Sequence, residues 1–361
     1  MKCERDSFCT CRTSDPFVFR LICRIDFYYS CIYGFVKFNC KRLKNHYYCW
    51  RYLIRDMKIG ILSFKAISKK ASSEEIRLKN TARAMGHKAM IFRSGRFQLV
   101  YDGTARRLLY NGKLFPKYDV IITRPSVLRD VDLSISIIKQ MEMMGIPVFN
   151  RYTPIIKAKN KLKSMQIMDH YNIPIPKTAV IRCGEYVDLA VESVGGMPVI
   201  VKSPFGSYGV GVTIVESKRG LNSMLNWKES NMYMIQEFVK GSRGQDVRVF
   251  VVGGKVIGTM MRSAKKGEFR SNIELGGVGR PVEITEEEKE MSLKAVQALD
   301  LEYGGVDILR SKVGPVILEV NSNPGFKALE AATGVDIATP VIEFAVEYAK
   351  SKAPMFYGNG K

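Results

Sequence analysis

From residue 58 onward, the apolar residues recur at spacings that predict strands and helices in alternation. The run Lys58–Leu62 predicts a strand. Ser72 and Ser73, followed by two glutamates, predict the start of a helix, and Gly86 predicts its end. The residues predicted to face inward on this helix are Ile76, Leu78, Ala82 and Met85.

The alternation continues to about residue 150. Asn111-Gly112, between two apolar runs, predicts a hairpin. The other predicted elements are strands over 88–92, 119–123 and 147–149 and a helix over 130–144 that ends at Gly145. Alternating strands and helices favour a doubly wound, mainly parallel sheet, so we expect an α/β domain over 57–150.

The pattern after residue 150 is α+β. Thr153 and Pro154 predict an N-cap and first residue of a basic helix. A small subdomain over 151–238 is predicted from strands at 198–202, 212–215 and 233–238 and a helix up to about residue 227. A second subdomain over 239–361 is predicted from strands at 246–252, 255–262, 303–310 and 315–321, a capping-box helix from Thr285 with Glu288, and a helix over 338–350.

The charge balance narrows the choice of partners. The chain has 56 Lys and Arg against 35 Asp and Glu, a net charge of +21, and 46% of its residues are hydrophobic. That apolar content excludes a wholly disordered chain. The positive field favours polyanionic partners such as nucleic acid, nucleotide phosphates, a membrane surface or acidic substrates.

Residues 1–56 differ from the rest, because they hold seven of the eight cysteines. Their spacing lacks the close pairs typical of zinc sites. The segment has no signal peptide, which argues against disulfides, and none of its uncharged runs is long enough to span a membrane. We expect residues 1–56 to lie outside the functional fold and Met57 to be its true start. The remaining cysteine, Cys183, suits a reducing compartment, so we expect a cytoplasmic protein.

Several common catalytic sites are disfavoured. The three histidines, His46, His87 and His170, have no nucleophile or carboxylate pair beside them. A histidine triad or a zinc hydrolase is therefore unsupported. The sequence also lacks the P-loop motif and the dinucleotide-binding motif.

The stretch Val199–Val212 is a candidate phosphate-binding loop. Lys202 ends a predicted strand, and Gly206, Gly209 and Gly211 follow it. Glycines allow backbone N–H groups to approach an anion closely, and a lysine suits phosphate oxygens. Similar loops also occur as plain turns.

Three polar residues near the C-terminal hairpin predict a metal site. Glu319 and Asn321 are two apart and so share a strand face. A tight turn over 311–314 places Asp307 opposite Glu319. Two carboxylates and an amide oxygen suit Mg²⁺ or Mn²⁺, and we expect a cation because the carboxylates repel each other. The alternative is a solvated acidic strand end.

A basic cluster lies between these two stretches. Its members are Arg248, Arg262, Lys265, Lys266 and Arg270, followed by Ser271 and Asn272. Arg262 and Arg270 lie among small polar residues, which suits an anion site, although a solvated basic loop is the usual meaning of such a run. Glu237 and Asp246 offer acceptors for an adenine amino group and ribose hydroxyls.

Together these stretches resemble the ATP-grasp superfamily, and specifically its RimK-type α-L-glutamate ligase branch. The stretches that carry the resemblance, in order over about 155–335, are KAKNKLKSMQ, VIVKSPFGSYGVGV, IQEFVKGSRGQDVRVFVVG, AKKGEFRSN, GGVDILR and LEVNSNPG. Residues 57–150 resemble the pre-ATP-grasp domain more weakly. The implied fold is a doubly wound pre-ATP-grasp domain followed by a two-subdomain ATP-grasp fold.

The resemblance implies a role for each matching residue. The expected ATP-binding residues are Lys161, Lys202, Gly206, Gly209, Gly211, Glu237, Phe238, Asp246, Arg270, Ser271 and Asn272. The expected ligands of two Mg²⁺ or Mn²⁺ ions are Asp307, Glu319 and Asn321. The expected catalytic residues, which face the acyl phosphate or the acceptor carboxylate, are Arg248, Arg262 and Arg270. Phe238 stands where relatives often carry Tyr.

The implied reaction joins a carboxylate to an amine with ATP, through an acyl phosphate. The implied substrates are L-glutamate and an acceptor carboxylate, either the C-terminus of a small-subunit ribosomal protein or a polyglutamylated coenzyme. The branch implies a homo-oligomer, a tetramer, with no membrane and no direct nucleic-acid contact. An ATP-grasp ligase for another amino acid, a dipeptide or an amino-carrier protein remains open, as does, more remotely, a non-enzymatic RNA- or ribosome-binding protein.

Overall fold

The computed structural model of the protein describes residues 56–103, 106–126, 131–202, 211–225, 232–242 and 244–352. All of them belong to Asp56–Lys361, one of the two compact units into which the chain divides; the other is Met1–Arg55. The expectation for residues 1–56 therefore falls, apart from Asp56, outside the described residues.

The elements of the described residues follow the predicted order. Up to residue 150 they are β1 (Lys58–Ser63), α1 (Ser73–Ala84), β2 (Lys88–Arg93), β3 (Phe97–Tyr101), β4 (Arg106–Tyr110), β5 (Lys113–Leu114), β6 (Val120–Arg124), α2 (Val131–Ser134), α3 (Ser136–Met143) and β7 (Val148–Phe149). The elements that follow are α4 (Tyr152–Lys159), α5 (Lys161–His170), β8 (Thr178–Ile181), α6 (Val187–Ser193), β9 (Val199–Lys202), β10 (Val212–Val215), α7 (Lys218–Met224), β11 (Tyr233–Glu237), β12 (Gln245–Val252), β13 (Lys255–Ser263), β14 (Val278–Pro281), α8 (Glu286–Ala298), β15 (Tyr303–Ser311), β16 (Gly314–Asn321), α9 (Lys327–Thr333) and α10 (Ala338–Lys352).

The first sheet is parallel, as the alternation of strands and helices predicted. Its strand order is β2-β1-β6-β7, and every pairing in it is parallel. Strands β3, β4 and β5 form a separate antiparallel sheet. Its predicted hairpin turn is confirmed, because Asn111 and Gly112 both have positive φ, 51° and 76°.

Helix α1 begins as predicted, and one of the four residues predicted to face inward is exposed. The Ser72 side chain accepts from the backbone N–H of Glu75, and the Glu75 carboxylate accepts from the N–H of Ser72. Leu78 and Ala82 are buried. Ile76 was predicted to be buried but is 41% exposed. It lies two residues, about 200°, from Leu78 around the helix, so the two cannot share a face.

Two predicted helices are broken. The helix expected over 130–144 is divided into α2 and α3. The basic helix begins at Tyr152, one residue before the predicted cap at Thr153, and ends before Asn160. The Asn160 side chain accepts from the N–H of Lys163 and caps α5, so Lys161 starts a new helix. Residue 227, where another helix was expected to end, lies outside the described residues; α7 ends at Met224.

Helices α5, α6 and α9 were not predicted as separate elements. None of the helices in the described part of the chain has both the length and the apolar character that a membrane span requires.

Two antiparallel sheets make up the second half of the described chain. Their orders are β10-β9-β11-β8 and β14-β13-β12-β15-β16. One apolar cluster joins the first sheet to the larger of these two and to α10; its largest members include Ile59, Phe149, Phe250, Tyr303 and Ile342. The core therefore fixes the first sheet against the five-stranded sheet.

A buried asparagine reinforces this junction. Asn150 is fully buried, and its amide nitrogen donates to the carbonyls of Tyr303 (2.7 Å) and Ser322 (2.9 Å). Its side-chain oxygen accepts from the backbone N–H groups of Glu302 and Tyr303. The Thr123 hydroxyl donates to the Asn150 carbonyl (2.8 Å), which ties β6 to the same point. The segment after β16 is thereby held against the first sheet.

The capping box of α8 gives a stability prediction. The Thr285 hydroxyl accepts from the N–H of Glu288 (3.1 Å), whose carboxylate accepts from the N–H of Thr285 (2.9 Å). We expect Thr285→Ala to lower the free energy of unfolding by about 1 kcal/mol, measured by urea denaturation. Thr285→Ser keeps the hydroxyl and should lose little. Equal losses in the two variants would contradict the capping role.

Candidate active site

The hairpin of β15 and β16 brings the predicted metal ligands together. Asp307 pairs with Glu319 in the strand register, as predicted, and Gly305 pairs with Asn321. The Asn321 amide nitrogen donates to a Glu319 carboxylate oxygen at 3.0 Å and lies 3.4 Å from one of Asp307. The shared strand face of Glu319 and Asn321 is therefore confirmed, and the three side chains converge.

Glycine in this hairpin permits a close approach of the following loop. A Cβ on Gly305 would lie 2.7 Å from Pro324 Cβ and 3.3 Å from Arg248 Cδ, both too near for an ordinary contact. The second glycine of the GGVDILR stretch, Gly305, thus allows the NSNPG loop and Arg248 to pack against β15.

Asp307 already has counter-charges of its own. Its carboxylate accepts from the Arg248 guanidinium through both oxygens, and Arg262 Nη2 lies 2.8 Å from Oδ2. Burial alone raises the pKa of Asp307, but Arg248 and Arg262 outweigh it and hold that pKa below its ordinary value. These two arginines, which the sequence analysis did not consider, neutralise Asp307 but are not paired with Glu319, so the expected cation at these carboxylates stays a prediction.

The oxygen donors nevertheless fit a hard divalent cation. Glu319, Asn321 and Asp307 present carboxylate and amide oxygens, the ligands that Mg²⁺ prefers. Within the described residues, no cluster of three or more His, Cys, Asp and Glu side chains has metal-binding geometry. A cation here would therefore share Asp307 with the arginines, and the Asn321 amide would have to turn over, because its nitrogen faces the two carboxylates in this structure.

A second carboxylate extends the ion-pair network. Asp246 is 4% exposed, and its two oxygens accept from Arg262 Nε and Nη2 at 2.6 and 2.7 Å. The Ser271 hydroxyl also donates to Asp246. Asp246 was predicted to bind ribose; in this structure both of its oxygens bind protein groups. Asp246, Arg262, Asp307 and Arg248 thus form one buried chain of alternating charge across β12, β13 and β15.

An open cleft with about 900 Å³ of empty space lies between the antiparallel sheet β10-β9-β11-β8 and the five-stranded sheet. Predicted ATP-binding residues line it together: Lys161, Lys202, Glu237, Phe238, Asp246, Arg270, Ser271 and Asn272. Asp307 and Glu319 also line it. Gly206 and Gly209 lie outside the described residues; Gly211 has φ of 74°, which favours glycine.

Lys202 is the buried cation of the cleft. Its ammonium donates to Gln236 Oε1 (2.6 Å), and Gln236 Nε2 donates to Thr178 Oγ1 (2.9 Å). Burial lowers the pKa of Lys202 to about 8, partly offset by the negative charge of Glu319. Sequence reasoning missed Gln236; the signal was a polar residue between apolar ones on a buried strand.

Two other predicted residues have protein partners in the cleft wall. Glu237 Oε1 accepts from the backbone N–H of Lys177 (2.9 Å). The Arg270 guanidinium donates to Glu268 through Nε (3.0 Å) and Nη2 (2.7 Å). These hydrogen bonds lower the pKa of Glu268 to about 2. The placement of both residues agrees with a nucleotide cleft, and their roles stay predictions.

A second and larger cavity, with about 1690 Å³ of empty space, adjoins the cleft. Both cavities are lined by Arg262, Asn272 and Glu319. Arg248 lines the second cavity, as do residues of the first sheet and of the loop after β16. Lys159 also lines it, and burial lowers the pKa of this lysine to about 8.

Comparisons with known families agree with this arrangement. The model of the RimK-like ATP-grasp domain matches residues 158–345, and that of the RimK pre-ATP-grasp domain matches residues 57–155. The chain belongs to the RimK-like ATP-grasp family. It is accordingly an ATP-dependent, ADP-forming ligase with a pre-ATP-grasp domain and an ATP-grasp domain.

Individual proteins resemble this RimK-like chain along most of its length. A relative from Coxiella burnetii (strain Dugway 5J108-111), named "Probable alpha-L-glutamate ligase", is 37% identical over 302 residues, 81% of this chain and 97% of the relative. The ATP-grasp ligase PsnB, solved in complex with minimal precursor, Mg and ADP, matches with a TM-score of 0.63 at 19% identity, covering 81% and 98% of the two chains. A RimK domain protein from Sphaerobacter thermophilus gives a TM-score of 0.60 at 19% identity, covering 80% and 99%. These two structures establish the likeness of fold.

The buried network predicts a large stability effect. We expect Arg262→Met in the RimK-like ligase to lower the free energy of unfolding by about 3–5 kcal/mol, because it leaves Asp246 buried without its cation. The matched control is Arg77→Met, which breaks an exposed pair with Asp336 and should cost about 0–1 kcal/mol. Urea denaturation measures both, and equal losses would contradict the prediction.

The lysine in the cleft predicts a pH dependence. With a pKa of about 8, Lys202 loses its charge as the pH rises through 8, and bound phosphates favour the charged form. ADP binding should therefore be strongest below pH 8, weaken above it, and take up protons there. Calorimetry in buffers of different ionisation enthalpy measures the uptake. Lys202→Arg stays charged and should take up fewer protons; an unchanged uptake would contradict the prediction.

Proposed function

We propose that this RimK-like ligase adds L-glutamate to an acceptor carboxylate through an acyl phosphate, with ATP as the phosphoryl donor. The observation that carries the proposal is that the cleft and the second cavity meet at Arg262, Asn272 and Glu319. A phosphoryl group held at the inner end of the cleft then faces a carboxylate held in the second cavity. Proximity of this kind contributes much of the rate in phosphoryl transfer.

In this proposal the cleft binds ATP. Lys161 and Lys202 supply positive charge for the phosphates, Glu237 and Phe238 border the adenine, and Asp246 lies on the ribose side. Asp307, Glu319 and Asn321 would hold two Mg²⁺ or Mn²⁺ ions. Divalent ions there would supply charge neutralisation for the phosphates.

The chain's own residues then serve two bond-making steps. The acceptor carboxylate oxygen attacks the γ-phosphorus of ATP and releases ADP. The amine of glutamate next attacks the acyl carbon and releases phosphate, with one proton lost from the amine. Arg248 and Arg262 face the cavity where negative charge is transferred, which supports a role in stabilising the acyl phosphate.

The described part of the chain offers no histidine base for these steps. His87 and His170 line neither cavity. Ligation through an acyl phosphate relies on alignment and charge neutralisation rather than on a histidine base. The cationic side chains that line the two cavities thus suit a reaction that depends on charge neutralisation.

The charge of the second cavity supports acidic substrates. Six of its lining side chains are cationic, and three are anionic. The cationic side chains are Lys65, Arg124, Lys159, Arg248, Arg262 and Lys327. We therefore favour glutamate and a glutamate-rich acceptor, either the C-terminus of a ribosomal protein or a polyglutamylated coenzyme. A cytoplasmic homo-tetramer belongs to the same proposal.

A ligase for a different amino-acid, dipeptide or amino-carrier-protein substrate is the second candidate. Part of the empty space of the second cavity is open solvent, and the cavity itself has a volume of about 600 Å³, within the roughly 300–1,000 Å³ of pockets that hold drug-sized ligands. Its size therefore does not separate the two candidates. Acceptor identity is therefore the point for experiment to decide.

The test is mass spectrometry of candidate acceptors after incubation with the protein, ATP, Mg²⁺ and L-glutamate. We expect a ladder of glutamyl additions together with ADP. Glu319→Gln should slow turnover at least about 100-fold, because it removes charge that holds the cation. The matched control is Glu290→Gln, an exposed change on α8 that should leave turnover unaltered.

A ladder built from another amino acid would favour the second candidate. If no tested acceptor gains mass and no ADP forms, the protein does not ligate glutamate to any of those acceptors. Salt-dependent RNA binding that survives Glu319→Gln, with no ADP formed, would instead favour the RNA-binding alternative.

A further inference from the structure

Arg124 is a buried arginine at the carboxyl end of β6. It is 5% exposed, and its Nη1 donates to the carbonyl of Pro324 at 3.0 Å. Its guanidinium carbon lies 5.7 Å from the centre of the Phe326 ring. The loop after β16 therefore fixes the position of a charged group that belongs to the first sheet.

Within the part of the chain that the structure describes, Arg124 lacks the counter-ion that a buried guanidinium normally has. Among the described residues, no carboxylate oxygen lies within 4 Å of it. Its Nε is buried without a hydrogen-bond partner. By contrast, the two other arginines of the second cavity, Arg248 and Arg262, are paired with Asp307 and Asp246. Burying an unpaired charge is costly, so an anionic partner at Arg124 would recover free energy.

Glu74 acts on Arg124 electrostatically but does not form an ion pair with it. Burial acts to raise the pKa of Glu74, but its own backbone N–H and then Arg124 hold this pKa below its ordinary value. The charge of Arg124 thus affects the pKa of Glu74, although the two side chains lie farther apart than an ion pair. Arg124 also acts against the burial that raises the pKa of the Tyr303 hydroxyl.

The position of Arg124 relates this charge to the reaction. Arg124 lines the second cavity together with Lys65 and Lys327, and the same cavity is lined by Glu319. A ligand that fills the cavity thus contacts both Arg124 and the point where the cavity meets the cleft. A carboxylate matches a guanidinium in charge and in its two parallel hydrogen bonds.

We propose that Arg124 binds a substrate carboxylate that is not itself activated, and thereby selects an acidic substrate. The proposal rests on the proposed function, since it assigns a carboxylate of that reaction. The shared chemistry is the free carboxylate of a glutamyl group, carried either by the incoming L-glutamate or by the acceptor. The kinetic constants of the two substrates distinguish these sources.

The test compares Arg124→Gln and Arg124→Lys with the wild-type ligase. The matched control is Arg83→Gln, because Arg83 also lies in the first domain and donates to a backbone carbonyl, that of Ala89 (3.1 Å), outside the cavity. We expect Arg124→Gln to raise the KM of one substrate roughly 30-fold or more while ADP binding stays within about twofold. Arg124→Lys should recover part of the loss.

The arms of the experiment separate the possible results. A raised KM for L-glutamate, with a reduced preference for glutamate over glutamine, assigns the carboxylate to glutamate. A raised KM for the acceptor peptide assigns it to the acceptor. Unchanged KM values and an unchanged preference in a folded Arg124→Gln enzyme overturn the proposal. A wild-type protein that forms no glutamyl product refutes the proposed function instead.

A comparison on the wild-type enzyme covers the case in which Arg124→Gln does not fold. Glutarate carries two carboxylates, whereas its monoamide carries one, and the two compounds have nearly the same size. We expect glutarate to inhibit glutamyl transfer at least about tenfold more strongly than the monoamide. Equal inhibition by the two compounds would overturn the proposal.

Discussion

The arrangement of the site depends on one buried chain of ion pairs, Arg248–Asp307–Arg262–Asp246. Its members come from three adjacent strands of one sheet, and all four are less than 10% exposed. Such a chain is stable only while every charge keeps its partner, because each isolated charge would be costly at this depth. Backbone pairing fixes the relative positions of β12, β13 and β15, and the network fixes the charged side chains that these strands present to the two cavities.

The same network sets up a competition that suits phosphoryl transfer. Arg248 and Arg262 neutralise Asp307 in this structure and also line the second cavity. A phosphorylated substrate in that cavity would compete with Asp307 for the arginines, while a cation would compete with the arginines for Asp307. In the proposed reaction, each of these buried charges would therefore exchange one partner for another within the site.

Local sequence signals were sufficient for the elements and for part of the site. The tight turn and two-residue periodicity of the last hairpin were enough to place Asp307 opposite Glu319. An N-cap signal marked the start of α1, and a capping box marked the start of α8. The features that sequence analysis did not predict depend on contacts between residues far apart in the chain. No pattern along the chain indicates that Arg248 and Arg262 neutralise Asp307, since their pairing follows from the order of β13, β12 and β15 in the sheet.

The same distinction separates the nucleotide cleft from the substrate cavity. The cleft is built from contiguous motifs on two sheets, so motif reasoning reached most of its residues. The second cavity is lined by Arg124 of the first sheet. The guanidinium of Arg124 donates to the carbonyl of Pro324, 200 residues later in the chain. Asn150 joins these parts by binding the carbonyl of Ser322 and accepting the Thr123 hydroxyl at its own carbonyl. If the second cavity binds the substrates, as proposed, substrate choice depends on how the two domains are joined, whereas ATP binding depends on motifs within one domain.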